Sequence, residues 1–135
     1  MLAKRIDLGS KPLGLWIAET DLVKGRLVKL EKDKVVYATK DDEAMGFCTL
    51  RIDTDEGGEI QDHDTIEKGK RPVIYTLDKH DVWLTTECDG IDALKIGDKL
   101  TCGAEGKLAK GEGMFEVVEI TKAADVPAVG VRVLK

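Results

Sequence analysis

The chain has 135 residues, 26 acidic against 21 basic side chains for a net charge of −5, and is 35% charged but only 4% aromatic. That length suits one domain with its own core, and the acidic balance argues against coating nucleic acid or an anionic membrane, whose phosphates an acidic surface repels. Three cysteines, Cys48, Cys88 and Cys102, without a C-x-x-C pair, argue against a disulfide framework or a structural zinc site and read as buried free thiols.

In chain order, the opening Met-Leu-Ala-Lys-Arg-Ile is too short and too soon charged for a signal-peptide apolar stretch, and no apolar run approaches membrane-spanning length. A soluble protein made in the cytoplasm is expected. Residues 1–14 carry Gly9, Ser10, Pro12 and Gly14 among mixed charges without sustained periodicity, and read as an extended N-terminal arm. Its Leu2, Ile6, Leu8 and Leu13 would seek a partner surface; a first edge strand or a disordered terminus are the other readings.

From Leu15 onward short β-branched or alternating runs recur at 15–18, 26–30, 35–39, 45–52, 72–77, 82–86, 99–102, 115–121 and 129–134, separated by glycine, aspartate and lysine turns. This spacing predicts an all-β module, a small β-barrel or β-sandwich over residues 15–135, because a parallel α/β sheet would need longer helical stretches between strands. Only Asp41–Ala44 and Ile91–Leu94 suit helix, one turn each. With so few aromatics, Val, Leu and Ile must build the core, and nearly every strand is expected to keep one solvated face.

A glycine-pivoted pattern occurs twice, at Leu22-Val23-Lys24-Gly25-Arg26-Leu27-Val28 before Lys34-Val35-Val36, and at Leu94-Lys95-Ile96-Gly97-Asp98-Lys99-Leu100 before Lys107-Leu108-Ala109. Each copy reads as strand, turn, strand, then a hairpin return through Glu31-Lys32-Asp33 or Gly103-Ala104-Glu105-Gly106. The copies align with Lys99 treated as one extra residue.

The segment from Asp53 to Asp64, within an acidic loop or insert over 53–71, imitates a calcium-binding EF-hand loop through its acids, Gly58 and Ile60. The imitation fails where strands replace the flanking helices, Gly57 replaces an oxygen ligand and Asp64 is shorter than the usual glutamate, so a solvated acidic loop is the better reading. His63 and His80 neighbour aspartates, yet no serine or cysteine sits in a nucleophile-elbow motif, and both read as surface turn residues. The glycine clusters at 103–106 and 111–113 precede no clear helix and read as turns, lacking the shared amide direction of a phosphate cradle. Trp16 and Trp83 read as anchors of the core or of one interface. No catalytic, cofactor-binding or metal-binding residue is expected.

The run Ala93-Leu94-Lys95-Ile96-Gly97-Asp98-Lys99-Leu100-Thr101-Cys102-Gly103-Ala104-Glu105-Gly106-Lys107-Leu108, followed by Phe115–Glu119 and Val129–Leu134, resembles tailed-bacteriophage head decoration proteins, as do Val23–Val28 and Ala44–Phe47 upstream. That family has a similar order of a glycine-turn strand, a "G-D-K-L" hairpin, a "G-x-V" strand and a final "V-x-V" strand. The insert 53–71 has no clear counterpart there, and this chain is more charged.

The resemblance implies a small β-rich module that binds the outer surface of an assembled head and reinforces contacts between major capsid subunits, commonly as a homotrimer, without catalysis. The expected partners are the major capsid protein and further copies of the chain, with no nucleic acid and no membrane, and the expected location is the virion. Leu2, Lys4, Arg5, Ile6, Leu8, Leu13 and Trp16 are the residues expected at a capsid or intersubunit interface. The rivals are a ligand-binding or enzymatic β-barrel in which the acidic loop or a histidine, His63 or His80, works at a cavity mouth, and a calcium-dependent adhesion module built on Asp53, Asp55 and Asp64.

Overall fold

The computed structural model describes residues 2–6, 12–49 and 65–134. Its strands are β1 (Leu2–Ile6), β2 (Pro12–Leu13), β3 (Ile17–Ala18), β4 (Leu22–Val23), β5 (Leu27–Glu31), β6 (Lys34–Tyr37), β7 (Gly46–Thr49), β8 (Thr65–Ile66), β9 (Val73–Thr76), β10 (Val82–Thr85), β11 (Lys99–Cys102), β12 (Leu108–Lys110), β13 (Phe115–Ala123) and β14 (Val126–Val133). They form two six-stranded sheets, ordered β1-β10-β14-β13-β11-β12 and β2-β9-β7-β5-β6-β3, and a ribbon of β4 with β8. The protein is all-β, as the strand spacing predicts, and its sheets curl into half a barrel. Single 3-10 turns stand at Asp41–Glu43 and Ile91–Ala93, with a third at Ala104–Gly106.

The glycine-pivoted pattern marks a repeat larger than the hairpins. Gly25 and Gly97 both have positive φ, 97° and 94°, at the third place of turns closed by Arg26 N–H to Val23 O (3.3 Å) and Asp98 N–H to Lys95 O (3.0 Å). A type II turn needs that conformation there, and glycine adopts it without steric cost. Each glycine N–H then reaches across to the returning strand, to Cys48 O (2.9 Å) and Val117 O (2.8 Å). The next residue's carbonyl accepts from that same strand residue, Cys48 N–H to Arg26 O (3.0 Å) and Val117 N–H to Asp98 O (2.9 Å). These bonds equate Gly25 with Gly97 and Leu27 with Lys99, so Lys99 is not an extra residue as the sequence alignment had it. The expected strand at Leu94-Lys95-Ile96 is also replaced, because Leu94 closes a 3-10 turn through its N–H to Ile91 O (3.1 Å).

The equivalence runs through both sheets. β2, β9, β7, β5, β6 and β3 lie in the same order as β10, β14, β13, β11, β12 and the segment Glu87–Asp89, which joins β12 through a parallel bridge from Cys88 to Leu108. β3 likewise runs parallel to β6, with Ala18 opposite Val35. Leu13 opposes Ile74 as Trp83 opposes Val131, and four residues separate both Leu13 from Ala18 and Trp83 from Cys88. Two copies of one sheet topology therefore follow each other along the chain, residues 12–76 and 82–133, with β1 added to the second.

Side-chain alternation along each strand decides how the copies stack. In the first, Ala18, Leu22, Val28, Val35, Cys48 and Ile74 belong to the smaller buried cluster, together with Ile66 of β8. Their counterparts Cys88, Leu94, Leu100, Leu108, Val117 and Val131 all belong to the larger cluster. The opposite face of the first sheet, Leu27, Phe47 and half-buried Tyr75, packs into that larger cluster. Phe47 stands 5.6 Å from Trp83 and 5.9 Å from Phe115 between ring centroids, and Tyr75 5.4 Å from Trp83. So β5, β7 and β9 carry apolar side chains inward on both faces, in contrast to the expected solvated face. The second sheet does present a charged face at the matching positions: Lys99 meets Glu116 at 2.7 Å and Arg132 meets it at 3.9 Å.

Asp41 joins the repeats. Its Oδ1 accepts from Cys102 N–H (2.6 Å) and Thr101 Oγ1 (3.1 Å), and its Oδ2 from Met114 N–H (3.0 Å). A second tie links Arg26 Nε to Glu87 Oε1 at 2.8 Å, with the guanidinium 5.4 Å from the Tyr37 ring centroid.

Candidate interaction surface

The residues expected at an interface scatter over both sheets. Leu2 is half-buried and packs on the larger cluster. Lys4 and Ile6 lie in β1 opposite Trp83 and Val82, with Arg5 at a register shift between them. Leu13 is half-buried in β2 opposite Ile74, and Trp16 is half-buried against the smaller cluster. Leu8 lies outside the described residues, as do Asp53, Asp55, His63 and Asp64. Of the readings open for residues 1–14, Leu2–Ile6 takes the edge strand.

The sheet edges differ in what covers them. β12 is flanked by the chain itself, with Leu108 N–H donating to Glu87 O (3.1 Å) and Asp89 N–H to Leu108 O (2.8 Å). β3 is flanked by Gly69 and Lys70, through Ala18 N–H to Lys70 O (2.8 Å) and Gly69 N–H to Ala18 O (2.9 Å). β2 is two residues long and begins with proline, which has no N–H to offer. β1 is five residues long and, among the described residues, pairs only with β10. Its outer edge is the place where an extended partner could continue a sheet.

Among the described residues, five large apolar side chains face solvent: Leu15 (72%), Ile96 (64%), Val126 (51%), Ile17 (41%) and Ile120 (41%). Leu15, just before β3, and Ile17 within it alternate with half-buried Trp16 and buried Ala18. Ile96 occupies the second place of the Gly97 turn. Ile120 and Val126 belong to the ribbon of β13 and β14, which continues past Val129, the last residue that β10 reaches. The sequence marks Leu15, Ile17, Ile96 and Ile120 as strand, but alternation cannot say which face is left exposed.

Burial pushes the thiols of Cys48 and Cys88 up to about 12 and that of Cys102 up to about 11, which holds them protonated and unreactive. His80 is exposed in a turn at φ 76°. Among the described residues no group of three His, Cys, Asp or Glu is placed to hold a metal ion.

The chain matches no protein-family model and no curated protein. Among solved structures it is similar to the N base of the head fiber gp8.5 of bacteriophage phi29, with a TM-score of 0.53 and 16% sequence identity. The fold is shared. The likeness covers 98% of this chain and 94% of that one, so it takes in both repeats.

Proposed function

We propose that the chain is a non-catalytic structural protein of a phage head, which sits on the outer surface of the head and reinforces contacts between major capsid subunits. The observation that carries this reading is the near full-length likeness to a head fiber base. The resemblance of the second glycine hairpin and of the strands after it to head decoration proteins points the same way, and adds a homotrimer as the assembly.

The surface suits such a role. Leu15 and Ile17, two residues apart, expose apolar side chains, and the outer edge of β1 offers backbone groups to an extended partner. Each contact is modest, but many copies on one particle raise the effective concentration and hold the layer in place. The test is co-sedimentation with heads assembled from the major capsid protein encoded in the same genome. Stoichiometric binding that is lost in Leu15→Asp/Ile17→Asp is expected; heads that sediment without the wild-type chain would refute the proposal.

A further inference from the structure

Asp89-Gly90 is the one aspartyl-glycyl bond in the sequence, which contains no asparagine. It stands where the chain leaves the edge of the second sheet. Asp89 N–H donates to Leu108 O (2.8 Å) beside β12, and Gly90 opens the 3-10 turn over Ile91–Ala93. Both residues are exposed. Gly90 has φ 64°, and a Cβ placed on it would meet no atom beyond its chain neighbours within 4 Å. Its N–H donates to no backbone acceptor among the described residues. The peptide nitrogen next to the Asp89 carboxyl is therefore neither crowded nor committed to the fold.

The other aspartates are held differently. Every one is followed by a residue with a Cβ, which crowds the next nitrogen. The carboxylates of Asp21, Asp41 and Asp98 accept from the amides of Lys68 (2.8 Å), Cys102 (2.6 Å) and Lys95 (2.9 Å). Asp92 precedes Ala93, whose N–H is committed to Gly90 O (3.0 Å). The Asp89 side chain is 63% exposed, and its carboxylate meets Lys107 Nζ at 3.3 Å.

We propose that Asp89-Gly90 is a site of spontaneous backbone modification, where aspartate isomerises to isoaspartate, and that Lys107 restrains the reaction. The Gly90 nitrogen gives its proton to solvent and attacks Cγ of the protonated Asp89 carboxyl. The N–Cγ bond forms, a Cγ–O bond breaks, and the oxygen leaves as water, closing a five-membered succinimide. Water then adds to the main-chain carbonyl carbon of Asp89 and breaks its bond to the Gly90 nitrogen. The chain now runs through Cγ, and the former main-chain carbonyl has become the free carboxylate. No co-reactant besides water is needed. Lys107 opposes the first step because an ion pair favours the ionised carboxylate, which is the poorer electrophile. The product carries one more carbon in the backbone between the Asp89 Cα and Gly90. The bond from Asp89 N–H to Leu108 O lies before the insertion. The bonds from Ala93 N–H to Gly90 O and from Leu94 N–H to Ile91 O lie after it (3.0 and 3.1 Å). The turn that carries Ile91 and Leu94 into the larger cluster is thus loosened, while the strand edge stays paired.

The test is to age the folded full chain at neutral pH and body temperature beside the acetylated and amidated peptide Glu87-Cys88-Asp89-Gly90-Ile91-Asp92-Ala93, both kept reduced. Peptide mapping with electron-transfer fragmentation places isoaspartate along the chain. It is expected first at residue 89, at a rate within about tenfold of the peptide, since the site needs only local adjustment to react. A dehydrated intermediate, lighter by one water, should precede it. Asp89→Glu keeps the charge beside Lys107 but must close a larger ring, and should show no change at residue 89. Lys107→Met should isomerise about two- to fivefold faster, the worth of an exposed ion pair; Lys107→Gln takes its place if that variant does not fold. In the isoaspartyl fraction, separated by anion exchange, amide exchange should quicken at Ala93 and Leu94 but not at Asp89. A folded chain more than about tenfold slower than the peptide, or isoaspartate arising first at another described aspartate, overturns the site. An unchanged rate in the Lys107 variant overturns its restraining role, and unchanged exchange at Ala93 and Leu94 overturns the loosening of the turn.

Discussion

Asp41→Ala removes the carboxylate that ties the connection after β6 to the second repeat. Three donors lose their acceptor, the amides of Cys102 and Met114 and the hydroxyl of Thr101. A hydrogen bond to a charged acceptor contributes about 1.5–3 kcal/mol, and a buried amide left without one loses stability on a similar scale. The site is only partly buried, so water replaces some of this and the expected loss is about 2–3 kcal/mol. At this chain length 1 kcal/mol corresponds to about 3–5 °C, so the melting temperature should fall by about 6–15 °C. Asp41→Asn keeps one neutral acceptor and should lose about half as much. Urea and thermal unfolding measure the total, and amide hydrogen exchange locates it: Cys102 and Met114 should lose protection before the strands of the first repeat. A shift under about 2 °C, with unchanged exchange at those two amides, would refute the claim that Asp41 couples the repeats.

The charged outer face of the second sheet should keep the molecule from stacking further. Lys99→Leu/Glu116→Phe/Arg132→Tyr gives it the side chains of the first sheet's packed face, and the variant should self-associate in sedimentation velocity at concentrations where wild type does not change mass. The thiols of Cys48, Cys88 and Cys102, raised by burial, should react with a disulfide reagent at pH 8 only at the rate of unfolding; a fast phase in native protein would contradict their burial. Glu43 is held below the usual carboxylate range chiefly by its hydrogen bond with Lys29, and Glu116 by its hydrogen bond with Lys99. A lowered folded pKa stabilises above the unfolded value and loses that contribution as pH falls through the folded one. Melting temperature should therefore drop more steeply below about pH 4.5 in wild type than in Glu43→Gln/Glu116→Gln.

Much of the strand inventory could be read directly. Alternating Val, Leu and Ile between glycine and aspartate turns located β5, β6, β7, β9, β10, β11, β13 and β14 to within a few residues, because a strand's period of two and a turn's demand for positive φ are local requirements. β8 was not legible, and β1 was open only as one of three readings of residues 1–14. Each is short, carries no turn signal of its own, and exists because a partner edge, β10 or β4, is waiting for it. The exposed apolar residues were hidden for a related reason: Leu15, Ile17 and Ile120 look like core positions until one knows what lies across from them.

The repeat shows where sequence ends and tertiary structure begins. By itself the sequence determined an acidic all-β protein with a twice-used glycine turn, since backbone geometry at Gly25 and Gly97 tolerates few alternatives. Only the packed structure decided that the two turns head copies of one sheet topology, because the matching residues share burial and hydrogen bonding but not identity. Leu27, Phe47 and Tyr75 became a plug between the sheets, whereas Lys99, Glu116 and Arg132 at the same places became surface. Which face of a strand is buried depends on the layer stacked against it, and that layer comes from residues far away in the chain.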